Sequence, residues 1–267
     1  MIGASILERS LADRRRSTGW WMIGVAAYTL VNVAAYPAVK SQASLNDLIK
    51  EYPPALMAMF GIDAAKLDMT SAVGYLSSQM NLIGPLLLLM AGIGFGASTL
   101  AGEEDAGTLG LVLSYPITRT RALVEKCVAL IVVVALVGVA LGLGIVSGRL
   151  FQLDIPLVDV AAFCLAAVLL GVLFGLVALA VGSITGSKAL ATGLATGLAA
   201  ATYLLNSLSP VVSGIKPFRI LSPFWYVLGG NPLSNGLAWR DLAVMVGLSL
   251  VAAALALVGF NRRDLRS

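Results

Sequence analysis

The chain holds 267 residues, 58% of them apolar and only 12% charged, against roughly 25% charged in an average soluble protein. Mean hydropathy is +0.91, and 32 charges, 18 basic and 14 acidic for a net +4, are too few to clothe a soluble domain of this length. The composition is that of an integral membrane protein, and the absence of histidine excludes His-ligated metal sites, Ser–His–Asp triads and histidine proton relays.

Residues 1–17 are polar and basic, with Arg9, Arg14, Arg15 and Arg16. The first apolar run, 19–39, is too long for the core of a cleaved signal peptide and reads as an uncleaved first span. Trp20 and Trp21 stand at its start, where indole rings favour the interface. Residues 40–73 mix three lysines with four acids and read as a water-exposed outer loop. Within it, Pro53 and Pro54 open a short apolar stretch, Ala55 to Ile62, suited to the interface rather than to spanning. The second run is 74–98, a polar segment covers 99–122, and the third run is 123–148. A turn around Arg149, Gln152 and Asp154 leads to the fourth run, 157–184. Gly186, Ser187 and Lys188 form a tight turn before the fifth, 189–208. Residues 209–240 are an outer loop rich in proline and aromatics, and the sixth run is 242–260. Continuous runs exclude an outer-membrane barrel, whose strands alternate. The expected fold is all-α, one membrane domain over 1–267 with six transmembrane helices.

Six spans put both termini on one side. With the termini inside, the inner segments carry eleven Lys and Arg and the outer ones seven. Arg14 to Arg16 before the first span, and Arg262 and Arg263 after the sixth, carry the strongest local bias. The positive-inside rule therefore predicts cytoplasmic termini.

No Asp, Glu, Lys or Arg lies in the middle of a predicted span, which argues against a proton-driven pump or a charged channel filter. Any uphill transport needs energy from elsewhere. The uncharged polar residues in spans, Asn32, Gln79, Asn81 and Asn206, either bond between helices or line a substrate path. GxxxG occurs six times, at Gly92/Gly96, Gly138/Gly142, Gly144/Gly148, Gly171/Gly175, Gly182/Gly186 and Gly193/Gly197, which points to close helix packing. VGSITGSKA is not a phosphate loop: three residues, not four, separate Gly182 from Gly186, and Ser187 precedes Lys188. The chain thus has no ATP site of its own. Cys127 and Cys164 fall near opposite faces of the predicted topology, which leaves them as small buried apolar residues rather than a disulfide.

The most distinctive stretch runs from Thr99 to Lys126, TLAGEEDAGTLGLVLSYPITRTRALVEK. Glu103, Glu104 and Asp105 open it, and Arg119, Arg121 and Lys126 close it, an order that suits a helix macrodipole. Leu109, Val112, Leu113 and Pro116 form one apolar edge, and Pro116 ends the short helix at about Tyr115. A short amphipathic helix of this kind lies on lipid or fits a groove in a partner.

These residues resemble the cytoplasmic coupling region of type-2 ABC transporter permeases, E-x-E-x-G-T-L-x-x-L-L-x-x-P-[IV]-[ST]-R with a Lys seven residues beyond the Arg. Glu103, Asp105, Gly107, Thr108, Leu109, Leu113, Pro116, Ile117, Thr118, Arg119 and Lys126 fall on that pattern. Asp105 replaces the commoner Glu and Val112 the commoner Leu; Gly110 and Glu125 also depart from it. Looser matches, PPALMAMFG and GYL before the second span and LSPFWYVLGGNPL before the sixth, extend the resemblance along the chain.

The resemblance implies a permease of the bacterial ABC exporter family, multi-pass in the cell membrane of a prokaryote, with both termini cytoplasmic and a coupling helix between spans two and three. Such a permease pairs with a second copy or a homologous permease. Each binds a separate ATPase subunit, two per complex, and exports drugs, lipids or other cargo by alternating access. ATP and Mg then belong to the partner, and this chain carries no cofactor, metal or catalytic residue and is not itself an enzyme. Leu109, Val112 and Leu113 are expected to dock into the ATPase, while Glu103 and Asp105, beside Glu104, cap the helix or meet basic residues of the partner. Gly107 permits close approach, Pro116 fixes the exit turn, and Arg119 anchors at headgroups or an acidic partner site. By its residues the 209–240 loop, with Phe218, Phe224, Trp225, Tyr226 and Trp239, reads as an interfacial aromatic belt. In the family it forms short re-entrant helices, and Asn231–Pro232 would break such a helix. The uncharged spans favour an amphipathic or hydrophobic cargo.

Three other readings compete. A membrane enzyme acting on lipids lacks its acid pair, its histidine and a DDxxD motif. A secondary carrier lacks intramembrane charge. A sensory or scaffold protein that docks a cytoplasmic partner through 99–122 fits the residues as well. Membrane lipid is a partner on every reading, and nucleic acid on none.

Overall fold

The computed structural model describes residues 6–41, 70–107, 118–210, 212 and 214–263. The stretch 55–62, the PPALMAMFG match, and Thr108, Leu109, Val112, Leu113 and Pro116 of the coupling segment lie outside the described residues. Among the described residues there is no strand, and six helical segments are long and apolar enough to cross a membrane.

The first is α1 (Ile6–Lys40), which starts well before the apolar run. Leu7 and Leu11 pack against the core, and the Leu7 N–H donates to Glu125 Oε2 at 3.1 Å. The basic segment is thereby drawn into the same helix.

The second apolar run is not one helix. It divides into α2 (Ala72–Met80) and α3 (Ile83–Thr99). Pro85 explains the break: it has no N–H for the carbonyl of Asn81, and its ring clashes with that carbonyl in a continuous helix. Ser71 caps α2 by accepting from the Gly74 N–H. A one-turn helix, α4 (Ala101–Asp105), continues almost directly from α3.

The third span, α5 (Arg119–Val146), opens on Thr118, whose hydroxyl accepts from the Arg121 N–H, and it ends in a 3₁₀ turn (Ser147–Phe151). Then come α6 (Leu157–Thr185) and α7 (Lys188–Leu208), joined by a turn in which Gly186 takes φ +65°. That left-handed conformation suits glycine and closes the α6 C-terminus through Gly186 N–H to Gly182 C=O at 2.8 Å. After α7 come a 3₁₀ turn (Lys216–Leu221), α8 (Pro223–Leu228) and α9 (Pro232–Asn235). The last span is α10 (Trp239–Arg262).

Helix α6 is apolar on every face and stands at the centre, packed against α3, α5, α7 and α10. Its tightest crossing is with α3. A Cβ on Gly92 would lie 2.8 Å from the carbonyl carbon of Gly171, and one on Gly96 2.9 Å from that of Gly175. Two of the six GxxxG pairs therefore face each other and bring two backbones into direct contact. Gly193 and Gly197, on α7, have nothing within 4 Å of where a Cβ would stand.

Burial separates inner from outer spans. The most apolar windows of Ala72–Thr99 and Leu157–Thr185 are each 67% buried, those of α1, α7 and α10 only 22%, 17% and 17%. Rows such as Leu190, Leu194 and Leu198 thus face outward, as expected in lipid.

The 209–240 loop folds back into the bundle. Phe224, at the start of α8, is 2% exposed and sits against Phe174 in the middle of α6 and Tyr203 of α7, with centroids 6.0 and 5.3 Å apart. The Ser222 hydroxyl donates to the Thr202 carbonyl at 2.7 Å. Phe218 and Trp239 remain exposed, so only part of the aromatic set behaves as a surface belt. Asn231, at φ 44°, separates α8 from α9, as the Asn–Pro pair predicted.

Candidate functional site

Six helix ends meet at one end of the bundle: the start of α1, the end of α3 with α4, the start of α5, the α6–α7 turn, and the end of α10. Residues 106 and 107 leave α4 there, and 118 returns to α5. Gly107 turns the chain away with φ +70° and its N–H on Glu104 C=O at 2.9 Å.

The three acids of α4 point to three different elements. Glu103 Oε1 accepts from Lys126 Nζ at 2.6 Å, and Lys126 also donates to the Thr99 carbonyl at 2.8 Å. Lys126 is 1% exposed. Such a charge is tolerated because a carboxylate and a carbonyl replace its water; isolated, it would cost several kcal/mol. Glu104 receives both terminal nitrogens of Arg263: Nη1 reaches Oε2 at 3.0 Å and Nη2 reaches Oε1. Asp105 Oδ2 accepts from the Lys188 N–H, at the first turn of α7, at 3.2 Å.

Arg119, the first residue of α5, reaches the end of α10. Its Nη1 donates to the carbonyls of Arg263 at 2.8 Å and Phe260 at 3.4 Å, and its guanidinium lies 5.9 Å from the Phe260 ring centroid. It caps the C-terminus of α10, whose last carbonyls lack helical partners. Arg14 of α1 donates to the Ser98 carbonyl at 3.2 Å and lies over Phe95. A cavity of 460 Å³ beside these groups is lined by Arg14, Ser98, Gly102, Glu103, Asp105, Ala106 and Lys188.

Of the residues singled out for coupling, Glu103, Glu104, Asp105, Gly107, Arg119 and Lys126 are thus gathered at one end. The acids are engaged within the chain itself. Arg263, Gly186 and Arg14 complete the cluster and were not singled out by sequence. Arg14 and Arg263 were legible only as positive charges flanking spans. The glycine at 186 was legible only as a turn residue.

The four polar residues read as a possible path lie away from this cluster. Asn32, Gln79 and Asn81 belong to the opposite end, where the Tyr75 hydroxyl donates to the Asn32 carbonyl at 2.8 Å and that of Tyr28 to the Gln79 carbonyl at 3.2 Å. Asn32 Nδ2 donates to Tyr28 C=O within α1, and Asn81 Nδ2 reaches Asn231 Oδ1 at 3.5 Å. Asn206 stands on the last turn of α7, its carbonyl accepting from Ser209. Cys127 and Cys164 are both free thiols.

A family model described as ABC-2 family transporter protein matches residues 4–265. No curated protein matches the chain.

Proposed function

The chain belongs to the ABC-2 transporter family, and on that premise we propose that this multi-pass permease is the membrane subunit of an ATP-driven exporter, powered by a separate ATPase docked on residues 99–122. Its termini face the cytoplasm. Two such chains, or this chain and a homologous permease, combine with two ATPase subunits in the plasma membrane of a prokaryote. ATP and Mg bind the ATPase, and the permease pair exports an amphipathic or hydrophobic cargo, such as a drug or lipid, by alternating access.

One observation carries the reading. The segment that leaves α4 is rooted by Glu103, Glu104 and Asp105 in α5, α10 and α7 at once. A push delivered to the base of that segment, α4, is passed on to three spans through these contacts. Leu109, Val112 and Leu113 supply the apolar contact with the ATPase, and the acids hold the segment's base.

The test is co-purification of the full chain with its candidate ATPase subunit, beside the double variant Leu109→Asp, Leu113→Asp. Glu103 is left intact, because its loss would strand the buried Lys126. We expect wild type to retain the ATPase and the variant to lose it while inserting normally. Equal retention by the variant would overturn docking through this segment. Retention by wild type with no cargo movement in proteoliposomes would favour a docking scaffold.

A further inference from the structure

Consecutive residues of a helix project about 100° apart, so three acids in a row fan toward three different neighbours. Each of those neighbours has further contacts of its own. Lys126 is buried within α5 and bonded to Thr99 as well as to Glu103. Helix α7 packs along α6 and α3. Helix α10 packs along α6 and α5, and at this end Arg119 also holds its last turn through backbone carbonyls.

Arg263, just past the end of α10, makes the remaining connection. Its side chain grips Glu104 with two hydrogen bonds, and the two side chains are only 16% and 10% exposed. A bidentate, largely enclosed Arg–carboxylate pair is directional, unlike a solvated surface pair. The guanidinium also lies where a side chain on Gly186 would stand: a Cβ there would be 2.5 Å from Arg263 Cζ. The positive φ of Gly186 and its missing side chain together make a seat for this arginine in the α6–α7 turn.

We propose that Glu104 and Arg263, seated on Gly186, form the clamp that makes the last span move as one body with the base of the coupling segment. Both are positioning residues: they touch no cargo and no nucleotide, and they set the register between α4 and α10. The inference rests on the permease reading above. It adds that force from the ATPase enters α10 through this pair, and that α6 and α7 share it through the Gly186 seat.

The experiment uses the full complex with its ATPase in lipid nanodiscs, with Cys127 and Cys164 replaced by Ala. Spin labels are placed at the exposed positions 106 and 262, and the distance between them is measured without nucleotide and after trapping with ATP and vanadate. The wild-type pair should give one distance, unchanged by trapping. Glu104→Gln and Arg263→Gln should each give a second, longer distance on trapping, as the base of the segment moves without α10. The exchanged pair Glu104→Arg, Arg263→Glu should return the single distance. Gly186→Asn, which tolerates the left-handed conformation, keeps both charges and fills the seat, should behave like the single variants, and it serves if the charge variants fail to fold. Single variants that keep one unchanged distance, or an exchange that does not restore it, would overturn the clamp. Failure of the permease reading is visible separately: wild type would then retain no ATPase, and the clamp's role would fall with it.

Discussion

The crossing of α3 and α6 can be tested by adding a single methyl group at Gly96. A Cβ at that position would lie 2.9 Å from the carbonyl carbon and 3.2 Å from the Cα of Gly175. Carbon atoms rest at about 3.5–4.0 Å. Both obstacles are backbone, and the carbonyl oxygen of Gly175 is nearer still, so no side chain can swing aside and the helices must separate by roughly one ångström or more. A gap of that size forfeits about half of each contact along the seam. Overpacking in a well-packed core costs about 1–3 kcal/mol. The upper figure applies here because α6 is the helix on which the other spans pack. Gly96→Ala should therefore shift the unfolding equilibrium by roughly a hundredfold, from about 3 kcal/mol. The assay is denaturation in mixed detergent micelles followed by tryptophan fluorescence. Gly94→Ala is the control, since it lies on the same helix with nothing within 4 Å of its Cβ. There the methyl group should be neutral or mildly stabilising through helix propensity. If Gly96→Ala and Gly94→Ala proved equally stable, the backbone-to-backbone crossing would be refuted.

Two further outcomes follow from the same geometry. Glu103→Ala should destabilise the protein by about 3–5 kcal/mol, because it strands the buried Lys126, whereas Glu103→Leu combined with Lys126→Met should recover most of that loss; the same micelle titration measures both, and a double variant no better than the single one would contradict the pairing. Phe224→Ala should remove the ring wedged between Phe174 and Tyr203 and cost about 3–5 kcal/mol if the site cannot collapse. Protease accessibility of residues 216–235 in vesicles should rise with it, and an unchanged cleavage pattern would argue against a re-entrant segment anchored by this ring.

Much of the architecture is legible in the order of residues, because hydropathy and helix period are local properties. Runs of apolar residues announce the spans, and Asn231–Pro232 announces a break within the loop before the last one. The Gly92/Gly96 and Gly171/Gly175 spacings announce close packing. Pairing is a different matter. Six GxxxG motifs look alike in sequence, yet only the fold selects which two oppose each other and leaves Gly193 and Gly197 facing outward. The break before Pro85 was written in the proline, but an apolar run long enough to span conceals it.

The acids show the division most clearly. Three consecutive carboxylates before an apolar stretch are equally consistent with a solvated cap, a partner-binding face and an internal clamp. Their partners lie 23, 159 and 83 positions away, beyond the reach of any local pattern. Arg263 reads in sequence only as a positive charge after the last span, and Lys126 as the closing base of the coupling motif, with nothing to pair it with Glu103 in particular. Sequence alone determined a six-span helical membrane protein, through the cost of exposing apolar surface to water and backbone polar groups to lipid, and the motif at 103–126 added the resemblance to a permease. Tertiary structure alone decided that the acids turn inward, because burying Lys126 and enclosing the Arg263 guanidinium both require a carboxylate at a position that only the folded bundle defines.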